Sequence, residues 1–237
     1  MSESYSVITI GYKSLKNIIN RINEVYDGPN PPNEFILIIN YYSEESWDIL
    51  DYAKKDNRIT RFVFCSQNIG FAKAINLGGS ISKSDNLIIL NDDCRINQDT
   101  CVKLSEGLIN NYGISTILKG GKNDDIIPMP QGFILGIKRN IIDKIGGYIY
   151  DEIASPLGCE RELTYRLKSE GYDLFIKPDL YHQHIHDISN NPQTTINYLG
   201  DEMSPQGEKA FQFYTESELN KKIEFHKTNI INGKNKN

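Results

Sequence analysis

Short unbroken apolar runs alternate along the chain with longer stretches whose apolar residues recur every three or four positions. Val7-Ile8-Thr9-Ile10 is rich in β-branched residues and stops at Gly11, which predicts a buried strand. Leu15, Ile18, Ile19, Ile22 and Val25 then fall at helical spacing behind Ser14, a suitable N-cap. The segment Asp27-Gly28-Pro29-Asn30-Pro31-Pro32 cannot continue a helix and marks a loop. Phe35-Ile36-Leu37-Ile38-Ile39 has strand length, and Ser43 opens a second helix. A third strand, Arg61 to Cys65, leads into a helical stretch from about Ile69 to Ile81. The fourth, Leu87-Ile88-Ile89-Leu90, stops at Asn91-Asp92-Asp93.

Strands that are apolar throughout, separated by amphipathic helices, predict an α/β fold with a mostly parallel central sheet and helices on both faces. Ligands in such sheets bind outside the carboxyl ends of the strands, which directs attention to Tyr12, Asn40, Asn68 and Asn91 to Asp93. The pattern loosens after about residue 113 and becomes rich in Gly and Asp from Lys119 to Asp125. A strand at Phe133 to Ile137, a short helix at Arg139 to Ile145 and a helix from Cys159 to Glu170 ending at Gly171 follow. A last strand lies near Leu174-Phe175-Ile176, and a charged helical pattern covers about Gln206 to Lys227. The expected division is a domain over 1–190 and a short C-terminal helical extension with a frayed tail over 191–237.

Composition narrows the picture. The 237 residues suit one domain with an extension or two small ones, at roughly 150 residues per domain. Hydrophobic residues at 39% suffice for a core, and 24% charged residues are too few for a disordered chain. Lys and Arg number 26 against 31 Asp and Glu, so the net charge of -5 argues against nucleic acid as a partner. No apolar run approaches ~18 residues, so no transmembrane segment is expected. Met1-Ser2-Glu3-Ser4 lacks the features of a signal peptide. Cys65, Cys94, Cys101 and Cys159 show no paired spacing, which points to thiols in a reducing, cytoplasmic setting without structural zinc.

Four clusters offer chemistry. Asn91-Asp92-Asp93 presents two carboxylates at the ligand edge, as a hard divalent cation requires, although the same residues also suit an Asx turn. Asn68 to Asn76 opens a helix with Gly70, Ala72 and Ala74, small enough for close approach to a ligand or to a neighbouring strand. It is not a dinucleotide fingerprint, because GxGxxG is absent. Glu160 stands in the first turn of a helix, a place that suits a catalytic acid or simple complementarity to the helix dipole. Glu162 and Arg166 are spaced i,i+4 and read as an ordinary pair on the helix surface. His182, His184 and His186 alternate, so on a strand they share a face, where one can serve a metal or all can be structural.

Taken in order, these pieces resemble the nucleotide-sugar glycosyltransferases of the GT-A fold, specifically the inverting family-two-like group. The resemblance rests on Ser6 to Tyr12, Ile38 to Ser43, Asn68 to Gly78 and Leu90 to Asp93. It continues through Gly146-Gly147-Tyr148 and Glu160 to Gly171, with Pro178-Asp179 and the histidines behind. It implies a Rossmann-like domain carrying an enzyme of the hexosyl- or N-acetylhexosaminyl-transferase type. Its donor would be a nucleotide sugar, UDP-sugar favoured, its cofactor Mn2+ or Mg2+, and its acceptor a glycan, a lipid-linked molecule or a protein. Residue by residue, the resemblance places Tyr12 against the nucleobase and Asn40 in hydrogen bonding to it. Asn68 and Ala72 would line the nucleoside pocket, Asp92 would touch the ribose side, and Asn91 would belong to the nucleotide-binding set. It assigns Asp93 and His184 to the metal and Glu160 to the base that deprotonates the acceptor.

Three departures accompany the resemblance. The family's Glu-Asp pair is Cys159-Glu160 here, and Asn40 replaces an acid. The usual Gly-Gly-Phe-Asp-Glu loop is stretched to Gly146-Gly147-Tyr148-Ile149-Tyr150-Asp151-Glu152. Two other readings share the sheet: a sugar-phosphate nucleotidyltransferase, for which Gly11-Tyr12-Lys13-Ser14 is a poor phosphate loop, and a catalytically silent sugar-nucleotide-binding domain.

Overall fold

Every residue of the segments Tyr5–Gly11, Glu34–Ile39 and Asn86–Leu90 is buried. Successive side chains on a strand point to opposite faces, so a run buried throughout needs cover on both sides. The computed structural model describes residues 4–12, 14–41, 43–118, 130–152, 159–177, 180 and 182–184. In chain order its elements are β1 (Tyr5–Gly11), α1 (Leu15–Tyr26), β2 (Glu34–Ile39), α2 (Glu44–Lys55), β3 (Arg61–Phe64) and α3 (Phe71–Ile81). Then come β4 (Asn86–Leu90), β5 (Cys94–Ile96), α4 (Thr100–Glu106), β6 (Tyr112–Leu118), β7 (Pro130–Lys138) and α5 (Arg139–Lys144). The last are α6 (Cys159–Ser169), β8 (Asp173–Ile176) and β9 (His182–His184).

Seven strands form one sheet in the order β3-β2-β1-β4-β7-β6-β8. β7 runs antiparallel to both neighbours, while the other pairs are parallel, so the sheet is mostly parallel as the sequence predicts. Two apolar clusters lie on its two faces. Ile8, Ile10, Ile36 and Ile38 pack with α3, α5 and α6, whereas Val7, Phe35, Leu37 and Ile39 pack with α1, α2 and α4. Each such side chain, fully buried, is worth about 1.5–3 kcal/mol. Ser14 caps α1 by accepting the Asn17 N–H at 3.2 Å, and the Ser46 hydroxyl accepts the Ser43 N–H at the start of α2.

α3 lies close against β1, because a Cβ at Gly78 would come within 2.5 Å of Ile8 Cγ2. Ala72 and Ala74 lie in the same core and serve helix–sheet packing, one of their two sequence readings, whereas a Cβ at Gly70 would meet nothing within 4 Å.

β5, α4 and β6 escape the sequence reading. α4 buries only Cys101 and Leu104 as apolar residues, too few to show a period. In β6 the fully buried Ser115 and Thr116 interrupt the apolar run. The expected C-terminal extension, Pro178-Asp179 and His186 lie outside the described residues. No helix among the described residues is long and apolar enough to cross a membrane. The four cysteines are buried, and none forms a disulfide.

Candidate active site

The chain runs outward from β1 through β2 to β3, then returns to the other side of β1 to lay down β4. Such a reversal opens a crevice between the loops that follow the two flanking strands. Tyr12 follows β1 and Asn91-Asp92-Asp93 follow β4, so the switch point brings them together. The Tyr12 backbone N–H donates to Asp92 Oδ2 across the crevice at 3.2 Å. Tyr41, two residues past β2, stands edge-on to the Tyr12 ring with centroids 5.2 Å apart. Sequence reasoning missed Tyr41, although it follows Asn40 directly in the matching stretch.

The acidic segment is a turn closed by the Cys94 N–H on the Asn91 carbonyl at 3.4 Å. The Asn91 N–H donates to the Phe133 carbonyl at 3.0 Å and ties the turn to β7. Burial, and then the neighbouring Asp93 charge, push the Asp92 carboxyl up to about 8; the Tyr12 N–H and Arg21 pull the other way. A nearby cation would favour the ionised form instead. Asn91 Oδ1 is buried without a hydrogen-bond partner. The Asp93 carboxylate, in a turn that also carries the orphaned Asn91 amide oxygen, supplies hard-oxygen chemistry that fits Mg2+ or Mn2+. Among the described residues no group of three or more His, Cys, Asp and Glu side chains gathers at one point. The pairing of β5 with β9 sets the His184 backbone opposite Cys94, the residue after Asp93.

Asn40 and Asn68 meet directly. Asn40 Nδ2 donates to Asn68 Oδ1 at 3.1 Å and to the Gly70 carbonyl at 3.2 Å, while Asn40 Oδ1 accepts the Ile69 N–H at 2.9 Å. Both amide hydrogens of Asn40 thus hold the turn into α3, which leaves one lone pair of Oδ1 for anything else. A carboxylate at position 40 would face two acceptors there, which gives the family departure a local reason. Ala72 is 1% exposed and belongs to the core, so it offers the site small size rather than surface.

Glu160 reaches the same edge by a long-range route. β7 is antiparallel to β4 with Leu90 opposite Ile134, so Gly132 lies past the end of β4, level with the acidic turn. A Cβ on Gly132 would come within 2.4 Å of Glu160 Oε1 and 2.9 Å of its Cγ. Any larger residue at position 132 would make the Glu160 side chain shift from its rest against the strand. The Cys159 thiol donates to Glu160 Oε2 at 3.4 Å, and the buried Tyr150 hydroxyl donates to the Gly132 carbonyl at 3.2 Å. Burial and the Glu160 charge push the Cys159 thiol well up, so it keeps its proton and remains a donor.

One sequence reading needs correction. Glu162 and Arg166 are not a surface pair: the two side chains are 3% and 6% exposed. Arg166 Nε lies 2.7 and 2.9 Å from the two Glu162 oxygens, and its other nitrogens donate to the carbonyls of Ile145, Tyr148 and Ile149. The i,i+4 spacing identifies the partners but not which face they occupy. α6 lies between β7 and the 145–149 loop, which buries that face. Asn76 holds the same loop from α3, accepting the Ile149 and Tyr150 N–H groups at 3.0 Å each and donating to the Tyr150 carbonyl at 2.8 Å.

Comparison with known proteins places this geometry. No curated protein sequence matches the chain. Among solved structures, the mannosyltransferase PcManGT from Pyrobaculum calidifontis, in complex with GDP-Man and Mn2+, matches with TM-score 0.67 and 14% identity over 80% of this chain. GalNAc-T7 with UDP, GalNAc and Mn2+ matches with TM-score 0.65 and 16% identity over 78% of this chain. TarS of S. aureus gives 0.57 and 14% over 78%. The chain spans 59%, 44% and 37% of those three proteins, and at these identities the likeness establishes the fold. The family model described as glycosyl transferase family 2 matches residues 6–164, a span that holds the switch point, the acidic turn and Glu160. The chain belongs to glycosyl transferase family 2.

Proposed function

We propose that this chain transfers a sugar from a nucleotide sugar to an acceptor hydroxyl with inversion at the anomeric carbon, in a reaction dependent on Mn2+ or Mg2+. The observation that carries this reading is the placement of Glu160 on Gly132, at the sheet edge where the Asn91–Asp93 turn closes the crevice. Family membership supports it, and so do GT-A neighbours holding nucleotides and Mn2+.

Asp93 would hold the divalent ion, with His184 as its proposed second ligand, Asp92 would lie toward the ribose, and Asn91 would belong to the nucleotide-binding set. When bound, the ion offsets negative charge that builds on the diphosphate leaving group. Glu160 takes the proton from the acceptor hydroxyl. The acceptor oxygen then forms its bond to the anomeric carbon from the face opposite the breaking bond, whose electron pair leaves with the diphosphate. A positioned general base supplies roughly 10²–10⁴-fold in rate. The two carboxylate groups act at opposite ends of the reacting bond, which accords with their places on a strand end and a helix.

Tyr12 and Tyr41 offer ring faces and edges to a nucleobase. The remaining lone pair of Asn40 accepts from a base N–H, and with the family's habit this favours UDP. The acceptor would be a glycan, a lipid-linked molecule or a protein.

A thermal-shift series with UDP-, GDP- and dTDP-sugars, with and without Mn2+, tests the donor side, since a ligand that binds only the folded state raises Tm. The largest shift should come from a UDP-sugar with Mn2+, and Asp93→Asn should remove the Mn2+ increment without lowering the basal Tm. A larger shift with GDP-sugars would overturn the nucleotide preference. An intact Mn2+ increment in Asp93→Asn would overturn the metal assignment.

A further inference from the structure

Arg21 lies in the apolar stripe of α1, between Ile18, Ile22 and Val25, and its side chain is fully buried. A charge taken wholly out of water is retained only where every donor finds a partner. Arg21 Nε and Nη2 both donate to the Asn91 carbonyl, at 3.2 and 2.8 Å, and Nη1 donates to Glu24 Oε2 at 2.7 Å. The other Glu24 oxygen faces Arg95 Nη1 at 3.5 Å, and Glu24 also accepts from the Ile96 backbone. One helix thus grips the chain at residue 91, just before the two aspartates, and again at residues 95 and 96, just after them.

We propose that Arg21 and Glu24 form a positioning clamp that sets the geometry of the Asp92–Asp93 turn for a divalent cation. The clamp holds more than the turn. Arg95 and Ile96 belong to β5, the strand on which β9 pairs, so the backbone of His184 takes its place from the same anchor. Both sides of the proposed metal site therefore hang on one turn of α1. Neither Arg21 nor Glu24 is offered as a ligand: Arg21 cannot bind a cation, and the oxygens of Glu24 are engaged by Arg21, Arg95 and Ile96. A turn fixed at both ends keeps the two carboxyl groups side by side whether or not a cation is bound. Groups that orient metal ligands in this way commonly change metal affinity by about 10–100-fold when removed.

The inference rests on the metal reading above, and the test separates the two. Mn2+ is titrated into the full chain, with and without UDP, and the free-ion signal is followed by electron paramagnetic resonance. UDP affinity without metal and the circular dichroism spectrum are recorded in parallel. The proteins are wild type, Asp93→Asn, Arg21→Met and Glu24→Ala. The account expects Mn2+ binding to vanish in Asp93→Asn and to weaken about 10–100-fold in both clamp variants, with metal-free UDP affinity and fold retained. Wild-type Mn2+ affinity in Glu24→Ala, or in a folded Arg21→Met, overturns the clamp while leaving the metal site standing. No Mn2+ binding by the wild type, or binding unchanged in Asp93→Asn, overturns the metal reading and the clamp with it. Glu24 is partly exposed, so its variant decides the matter if Arg21→Met fails to fold.

Discussion

Two buried arginines hold opposite sides of the crevice, and they do so on different terms. Arg21 grips a single carbonyl, that of Asn91, in a turn that β4 already delivers to the sheet edge. Arg166 grips three carbonyls, those of Ile145, Tyr148 and Ile149, in a loop that no strand of its own delivers. On the β1–β4 side Tyr12, Asn40 and Asn91 to Asp93 stand one to three residues beyond their own strands, so local structure places most of it. On the β7–α6 side Gly132 comes from β7, Tyr150 from a loop and Cys159 with Glu160 from α6, and buried polar contacts assemble them. The first side is built by the sheet, the second by side chains.

The largest effect should follow from cutting the second side at its anchor. Arg166→Met leaves Glu162 buried without its cation, and removing one partner of a buried pair costs about 3–5 kcal/mol. Urea unfolding measures it. The comparison is Lys54→Ala in α2: Lys54 is 55% exposed and paired with the exposed Asp51, and losing such a pair costs at most about 1 kcal/mol. Equal costs would mean that Arg166 holds its loop no more firmly than a surface pair.

Next in size is the proposed base. Glu160→Gln should lower turnover by ~10²-fold or more while leaving nucleotide affinity nearly unchanged, because the proposed role of the residue is on the acceptor. Glu162, on the same helix, cannot serve as the control, since it is buried with Arg166 and its loss would disturb the fold. Exposed Glu170, at the far end of the helix, takes that place. Equal losses in Glu160→Gln and Glu170→Gln would remove Glu160 from the chemistry.

A smaller effect is expected at the seat of that carboxylate. Gly132→Ala puts a Cβ within 2.4 Å of Glu160 Oε1, so the carboxylate must shift, and small displacements of a reacting group are costly in catalysis, here about tenfold in kcat. Steady-state kinetics should show KM for the donor barely changed. A kcat equal to wild type would mean that Glu160 does not work from this position.

The same contrast explains what the sequence reveals. The β1–β4 side is legible because its apolar runs, helix caps and post-strand polar residues follow one another with regular spacing. Tyr12, Asn40 and Asn91 to Asp93 stand out for that reason. Arg21 is less visible, although an arginine inside the Ile18–Val25 apolar stripe is a signal of burial. On the other side Ser115 and Thr116 hide β6, and nothing local shows that β7 runs against its neighbours. Glu160 is found by resemblance, but its seat on Gly132 depends on a pairing between strands far apart in sequence. The burial of Glu162 and Arg166 has the same origin: helical spacing reports partners, and only tertiary packing reports depth.

The central claim is that the acidic turn and Glu160 form one transferase site. Its most direct test is nucleoside diphosphate release from a panel of UDP-, GDP- and dTDP-sugars, measured in Mn2+ and again in EDTA. The account predicts release of nucleoside diphosphate, greatest from a UDP-sugar, that stops in EDTA and falls about 10²-fold in Glu160→Gln. Saturable binding without release, exchange of pyrophosphate in its place, or release indifferent to EDTA would contradict it.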